Sequence, residues 1–336
     1  MIKFIVILFV VFSSTFSKSE EGSAISLMYH RFDDNRFPST SISKDNFESQ
    51  MLYLKKNNYN VLPISKLISF FEGKFKLPQK SIFITIDDGY KSFFKNGFPI
   101  LKKLGFPFSI FLSTKFVSEK ENSDFMSWNM IKEVYNSNGV ILNHTFSHAN
   151  LNEISTEQAL NELILAEEKI KKELNYIPKI FSYPYGESND QIEKLLKKLD
   201  YKLAFSQHSS PINIDENKYK LPRFSINDEF GKIERFKQIV RAKPFKFSDL
   251  TVSQKNLDLG LFEFSFQTRQ SVENINCYLN NNAKLTIQKK EKKITLILNN
   301  LIKKNQYRLN CTKINEDSQL FWFGKMIITT NSAIIF

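Results

Sequence analysis

Residues 84–90 read "ITIDDGY". Ile82, Phe83, Ile84, Thr85 and Ile86 are apolar or β-branched and run straight into Asp87, Asp88, Gly89 and Tyr90. The run has the composition of a buried strand. Such a strand ends badly in two adjacent carboxylates, because like charges repel and each loses solvation. Either the pair lies in a solvated turn, or something positive holds it.

Outward from this strand, apolar runs alternate with amphipathic stretches. Strands are expected at 24–29, 81–86, 106–112, 140–142, 179–183 and 202–206. Helices are expected at 45–58, 63–72, 91–104, 128–137, 156–174 and 188–199. The 156–174 helix opens with Ser155 and Gln158 at capping-box spacing. Such alternation argues for an α/β domain, with a parallel sheet or barrel inside outer helices. After about residue 250 the texture changes to short β-rich segments such as LFEFSF, KITLILN and YRLNC, separated by Asn/Lys turns. That pattern predicts a small all-β, sandwich-like domain over 250–336, joined by a helical connector at 227–249.

The N-terminus, MIKFIVILFVVFSSTFSKSEEG, pairs Lys3 with an unbroken apolar run over 4–12. Thr15 and Ser17 sit at −3 and −1 of a cleavage site, so 1–17 reads as a signal peptide; the alternative is an uncleaved anchor. The run is shorter than the ~20 residues a spanning helix needs, and no other stretch is long and apolar enough to span. The mature chain is expected to be exported, to periplasm or extracellular space. An oxidising compartment favours joining the only two cysteines, Cys277 and Cys311, which would add roughly 3–4 kcal/mol on a chain-entropy model. Two unpaired buried thiols are the alternative. The formal charge of +12 suits an anionic polymer or surface, but Lys and Asn are abundant throughout. No basic cluster interleaved with aromatics marks a nucleic-acid face, so no nucleic-acid partner is expected.

The chain has four histidines: His30, His144, His148 and His208. Two stand in "NHTFSH" (143–148), directly after an expected strand. A spacing of four would put both imidazoles on one face of a helical turn, a metal-binding arrangement. Adjacent residues of a strand point to opposite faces, so Asp87 and Asp88 suit two different jobs rather than a matched pair. One carboxylate and two imidazoles at strand ends would leave open positions for water and substrate, as a catalytic metal requires.

In order, "LMYHRF" (27–32), "TIDDG" (85–89), "NHTFSH" (143–148) and "FSYPYGE" (181–187) resemble the polysaccharide deacetylases, the NodB-homology or carbohydrate esterase family 4 group. The resemblance covers roughly 24–226, and is greatest to the group whose acid-histidine motif comes first, as in deacetylases of biofilm poly-N-acetylglucosamine. It implies a distorted (β/α) barrel and a secreted hydrolase removing N-acetyl groups from an acetylated polysaccharide. It implies a divalent metal, zinc by default with nickel or cobalt also suited, held by Asp88, His144 and His148. Asp87 would be the general base toward water at that metal, and His30 the acid protonating the leaving nitrogen. Tyr185 would offer its backbone N–H to the oxyanion. Tyr183, Trp128 and His208 are candidates to contact substrate.

Two departures from the family pattern stand out. Many members carry an arginine two residues before the proline of the Pro-Tyr motif, where it pairs with the base. Here that position is Ser182, and Arg223 in "LPRF" is the candidate replacement. The family's Asp-x-x-Asp-Trp motif is absent. Both leave room for an inactive carbohydrate-binding protein on the same scaffold. A third reading is an O-acetyl esterase on a xylan-like polymer, whose better leaving group would need His30 less.

Overall fold

The computed structural model describes residues 22–268, 271–281 and 283–336, so the expected signal peptide lies outside the described residues. Among the described residues no helix is long and apolar enough to cross a membrane. The 81–86 expectation appears as the strand Ser81–Asp88, buried along its whole length. It pairs in parallel with Ala24–Tyr29 on one side and Phe108–Leu112 on the other. The sheet continues through Gly139–Asn143, Ile180–Ser182 and Leu203–Phe205, while Phe224–Ser225 flanks the first strand. A bridge between Phe205 and Leu221 brings the two ends together, giving a distorted, partly closed barrel. The expected α/β class is the one observed.

Strand parity explains what the first carboxylate faces. Phe83 shares a core with Phe111, Leu142, Phe205 and Leu221. Ile82, Ile84 and Ile86 pack instead with Met51, Leu54, Phe98 and Leu101 of the surrounding helices. Asp87 therefore continues the face of Phe83 and Thr85. Asp88 would belong to the opposite face, but its backbone turns left-handed (φ 73°) at the strand end and re-aims the side chain. Gly89 follows at φ 89°, where a Cβ would lie 2.4 Å from Leu112 Cδ1, so only glycine fits. Every strand of this sheet delivers its carboxyl end to the same rim, where parallel α/β folds place their sites.

The helices follow the sequence closely, and Thr156–Leu174 carries both halves of the capping box. Within the expected 227–249 connector only Ile233–Arg241 is helical, and its last residues are strand, at Lys243–Pro244 and from Phe247 onward. The C-terminal residues form two antiparallel sheets, as expected. In one, Asn276–Leu279, Asn305–Ile314 and Leu320–Thr329 are neighbours, with Lys243–Pro244 added in parallel to the last. The other runs Phe247–Asn256, Leu261–Thr268, Lys293–Asn299 and Lys284–Lys290. Phe262, Phe264, Phe266 and Phe323 fill the space between them. Cys277 and Cys311 face each other across paired strands and form the disulfide.

These sheets are seated on the barrel. Trp322 meets Phe224 edge to face at 5.1 Å and shares the α/β core. A Cβ on Gly324 would fall 2.0 Å from the Ser209 carbonyl, so glycine is what permits the approach.

Candidate active site

Asp87 is fully buried, and so is the cation that holds it. Arg223 donates from both terminal nitrogens to the two carboxylate oxygens, each at 2.7 Å. Its remaining donors reach Ser182 Oγ at 2.7 Å, Thr85 Oγ1 at 3.2 Å and the Ser206 carbonyl at 3.1 Å. Such a bidentate, hydrogen-bonded pair survives burial because every donor is used. Burial pushes the Asp87 pKa up, but the Arg223 charge, followed by His144, outweighs it and holds the carboxyl below its ordinary range. Ser182 accepts from Arg223 and lies 3.4 Å from Asp87, bridging the two. The guanidinium missing at 182 is thus present in space, delivered from position 223.

Asp88 faces the two imidazoles. Its Oδ1 stands 3.4 Å from both His144 Nε2 and His148 Nε2. The three side chains offer ligand atoms all within 4.8 Å of one another. Asp88 Oδ1 and His144 Nε2 are buried and make no hydrogen bond. Buried polar atoms are rarely left so, and a shared cation would satisfy both. His144 Nδ1 lies 2.8 Å from the Ser182 carbonyl. That contact turns Nδ1 to the carbonyl and Nε2 to Asp88. Burial opposes protonation of His144, but Asp88 and Asp87 outweigh it and raise its pKa. Burial, then the charge of His144, push His148 down to about 4, so it presents a lone pair at neutral pH. The donor set fits a divalent metal.

The histidines meet by a different route from the one their spacing suggested. Residues 144–148 form no helical turn; Thr145 (φ 66°) and His148 (φ 58°) are left-handed. Asn143 Oδ1 accepts from the Thr145 N–H at 2.8 Å, which starts the loop. Glu162, on the Thr156–Leu174 helix, then accepts from the Ser147 N–H and hydroxyl at 2.7 and 2.8 Å. The spacing of four was informative, but side-chain clamps rather than helix geometry make it work.

His30 and Tyr185 complete the rim. Both line one cleft of about 850 Å3 together with Asp88 and His148. Burial lowers the His30 pKa, against the upward pull of Asp88 and Asp87. Tyr185 occupies a left-handed position (φ 60°), and its ring packs edge-on against His148 at 4.7 Å. A Cβ on the following Gly186 would clash with Gln207.

None of the three expected substrate contacts lines this cleft. Tyr183 is fully enclosed, packing against Phe181, and does not line the cleft. His208 is also buried, and Trp128 opens the Trp128–Tyr135 helix and packs against the main core. Each sits near a strand or helix end, where sequence alone does not separate rim from interior. The sequence reading missed Tyr90, whose ring carries the Arg31 guanidinium at 3.5 Å on the cleft wall. It also missed Gln306, which donates to the Tyr185 carbonyl at 2.8 Å and to Glu187 Oε1 at 2.9 Å from the C-terminal sheets.

Residues 74–204 match the family described as polysaccharide deacetylase. A poly-β-1,6-N-acetyl-D-glucosamine N-deacetylase of Staphylococcus aureus is 30% identical over 239 residues, covering 63% of this chain and 81% of that protein. The chain belongs to the polysaccharide deacetylase family. As such it is a hydrolase of N-acetyl amide bonds, with a NodB-like barrel. A solved polysaccharide deacetylase from Bacillus cereus, 27% identical, superposes with a TM-score of 0.57 over 66% of this chain and 69% of that one. IcaB from Ammonifex degensii, 23% identical, shares the fold with a TM-score of 0.58 over 66% of this chain and 98% of its own. The family match of the deacetylase ends at residue 204, before its antiparallel sheets begin.

Proposed function

We propose that this protein is an exported, metal-dependent deacetylase that removes N-acetyl groups from an N-acetylglucosamine-type polysaccharide. The observation that carries the reading is the convergence of Asp88, His144 and His148, two of them with buried unpaired ligand atoms, beside the Arg223-held Asp87. The activity named for the Staphylococcus aureus relative supports the substrate class. The disulfide supports export. In this reading residues 24–226 are the catalytic domain, 227–249 the connector and 250–336 the β domain.

An amide is a weak electrophile and an amine a poor leaving group. A divalent ion held by Asp88, His144 and His148, zinc by default, would polarise the carbonyl and lower the pKa of water to about 7. A base of low pKa then suffices, which fits a carboxylate kept ionised by Arg223. Asp87 accepts the proton of the attacking water as its oxygen bonds to the carbonyl carbon. The Tyr185 N–H donates to the oxyanion that forms. His30 gives its proton to the nitrogen as the C–N bond breaks, leaving acetate and a free amine on the sugar.

Ser182 in place of arginine and the absent Asp-x-x-Asp-Trp motif are the arguments for an inactive protein. The pairing of Arg223 with Asp87 and Ser182 supports turnover against the first of them. The test is acetate release from β-linked N-acetylglucosamine oligomers by the metal-loaded chain, the chelator-treated chain and Asp87→Asn. Release that falls at least about a thousandfold in both controls supports the reading. Absence of release from every acetylated glycan by folded, metal-loaded protein would overturn it. Ester activity surviving His30→Ala would instead favour O-acetyl removal.

A further inference from the structure

The cleft extends beyond the reacting groups. Its volume of about 850 Å3 lies toward the top of the range for small-molecule sites, roughly 300–1,000 Å3. An acetyl group fills little of that. The far wall comes from the C-terminal antiparallel sheet and the connector: Tyr278, Asn280, Arg308 and Asn310 face Phe230 and Arg235.

This wall is cross-braced and continuous with the reacting end. The Arg308 N–H donates to Asn280 Oδ1 at 2.5 Å, and Trp322 Nε1 donates to Asn310 Oδ1 at 2.9 Å. The disulfide ties Cys277 to Cys311, the residues next to Tyr278 and Asn310. Arg308 Nε reaches the Gln207 carbonyl of the barrel at 3.3 Å. Yet the cleft-facing groups keep binding capacity. Among the described residues neither Arg235 nor Arg308 makes an ion pair. Glu187, the carboxylate that acts on Arg308, is bonded to Gln306 and Asn152. Burial lowers both guanidinium pKa values. Tyr278 and Phe230 remain 48% and 44% exposed beside the cleft.

Exposed ring faces with amide and guanidinium donors between them are the chemistry that holds a sugar chain: apolar C–H faces stack on the rings and hydroxyls meet the donors. The geometry points to an extended glycan subsite on the C-terminal sheet, in which Tyr278, Asn280, Arg308 and Asn310 hold the N-acetylated sugars flanking the one being deacetylated. It rests on the deacetylase reading and names where the polymer lies. The two cations add a preference, since the ammonium groups created by the reaction are repelled there and acetylated stretches are not.

The test is kcat/KM for acetate release across N-acetylglucosamine oligomers from dimer to hexamer. The wild type should gain roughly tenfold or more with length, through KM, and Arg308→Gln and the half-exposed Tyr278→Ala should each remove most of that gain. A purely structural role for these residues would lower all lengths alike. In parallel, calorimetry on metal-free protein should show the acetylated hexamer binding in preference to its fully deacetylated form, with both variants weakening it. Loss of catalysis with all glycans alongside intact hexamer binding would sink the deacetylase reading and leave the subsite standing. Length dependence and hexamer binding unchanged in both variants would overturn the subsite.

Discussion

The two walls of the cleft hold their polar groups in opposite ways. On the barrel side Asp87 and Arg223 are fully buried, and each oxygen and nitrogen is matched to a fixed partner. On the C-terminal side Arg308 and Tyr278 are half-buried or exposed and retain unused capacity. Groups that must move a proton at one atom are preorganised at high energetic stakes, whereas groups that grip a long polymer can remain partly solvated. The difference makes the barrel wall fragile to single changes and the sheet wall tolerant of them.

The sharpest way to break that contrast is Arg223→Met. It strands Asp87 as an unpaired buried charge, which costs about 3–5 kcal/mol. Because Arg223 holds the Asp87 pKa below its unfolded value, the pair's contribution is present above the ordinary carboxylate range and lost as pH falls through the folded value. The stability gap between wild type and variant should therefore be widest near neutrality and narrow on acidification. Denaturant unfolding at several pH values checks this, and a gap independent of pH would contradict it.

A smaller effect is expected from Gly324→Ala, which forces a methyl against the Ser209 carbonyl. Overpacking of this kind costs about 1–3 kcal/mol. Thermal unfolding should show the loss, and hexamer binding should weaken with it because the sheet wall is pushed from the barrel. Unchanged stability would mean the two regions are not held in this contact. Smaller again is Gln306→Ala, which frees the Tyr185 turn from its anchor in the C-terminal sheets. We expect kcat to fall about tenfold with KM little changed. A rise in KM alone would make Gln306 part of the grip rather than of the positioning.

Legibility in the sequence follows the same division. Local patterns carried far: the apolar run before Asp87, the capping box at Ser155 and Gln158, and the lone cysteine pair all reappear. What was hidden depends on long-range closure. Arg223 pairs with a carboxylate 136 residues earlier, and was found only as a candidate through the family's missing arginine. The His144–His148 loop is made by Asn143 and Glu162, which no spacing rule flags. Tyr183 and His208 looked like rim residues and proved interior. The sheet wall could not be read at all, because it requires Asn276–Leu279 to pair with Asn305–Ile314 and both to seat on the barrel.

The central claim is that Asp88, His144 and His148 hold a catalytic metal. The most direct measurement is the metal content of the zinc-loaded, desalted chain by elemental analysis, beside His148→Ala and Asp88→Asn, with folding monitored by circular dichroism. One tightly held ion per chain is expected in the wild type, with its loss from both folded variants. A wild type that retains no ion, or variants that retain it in full, would mean that these three residues do not hold a metal.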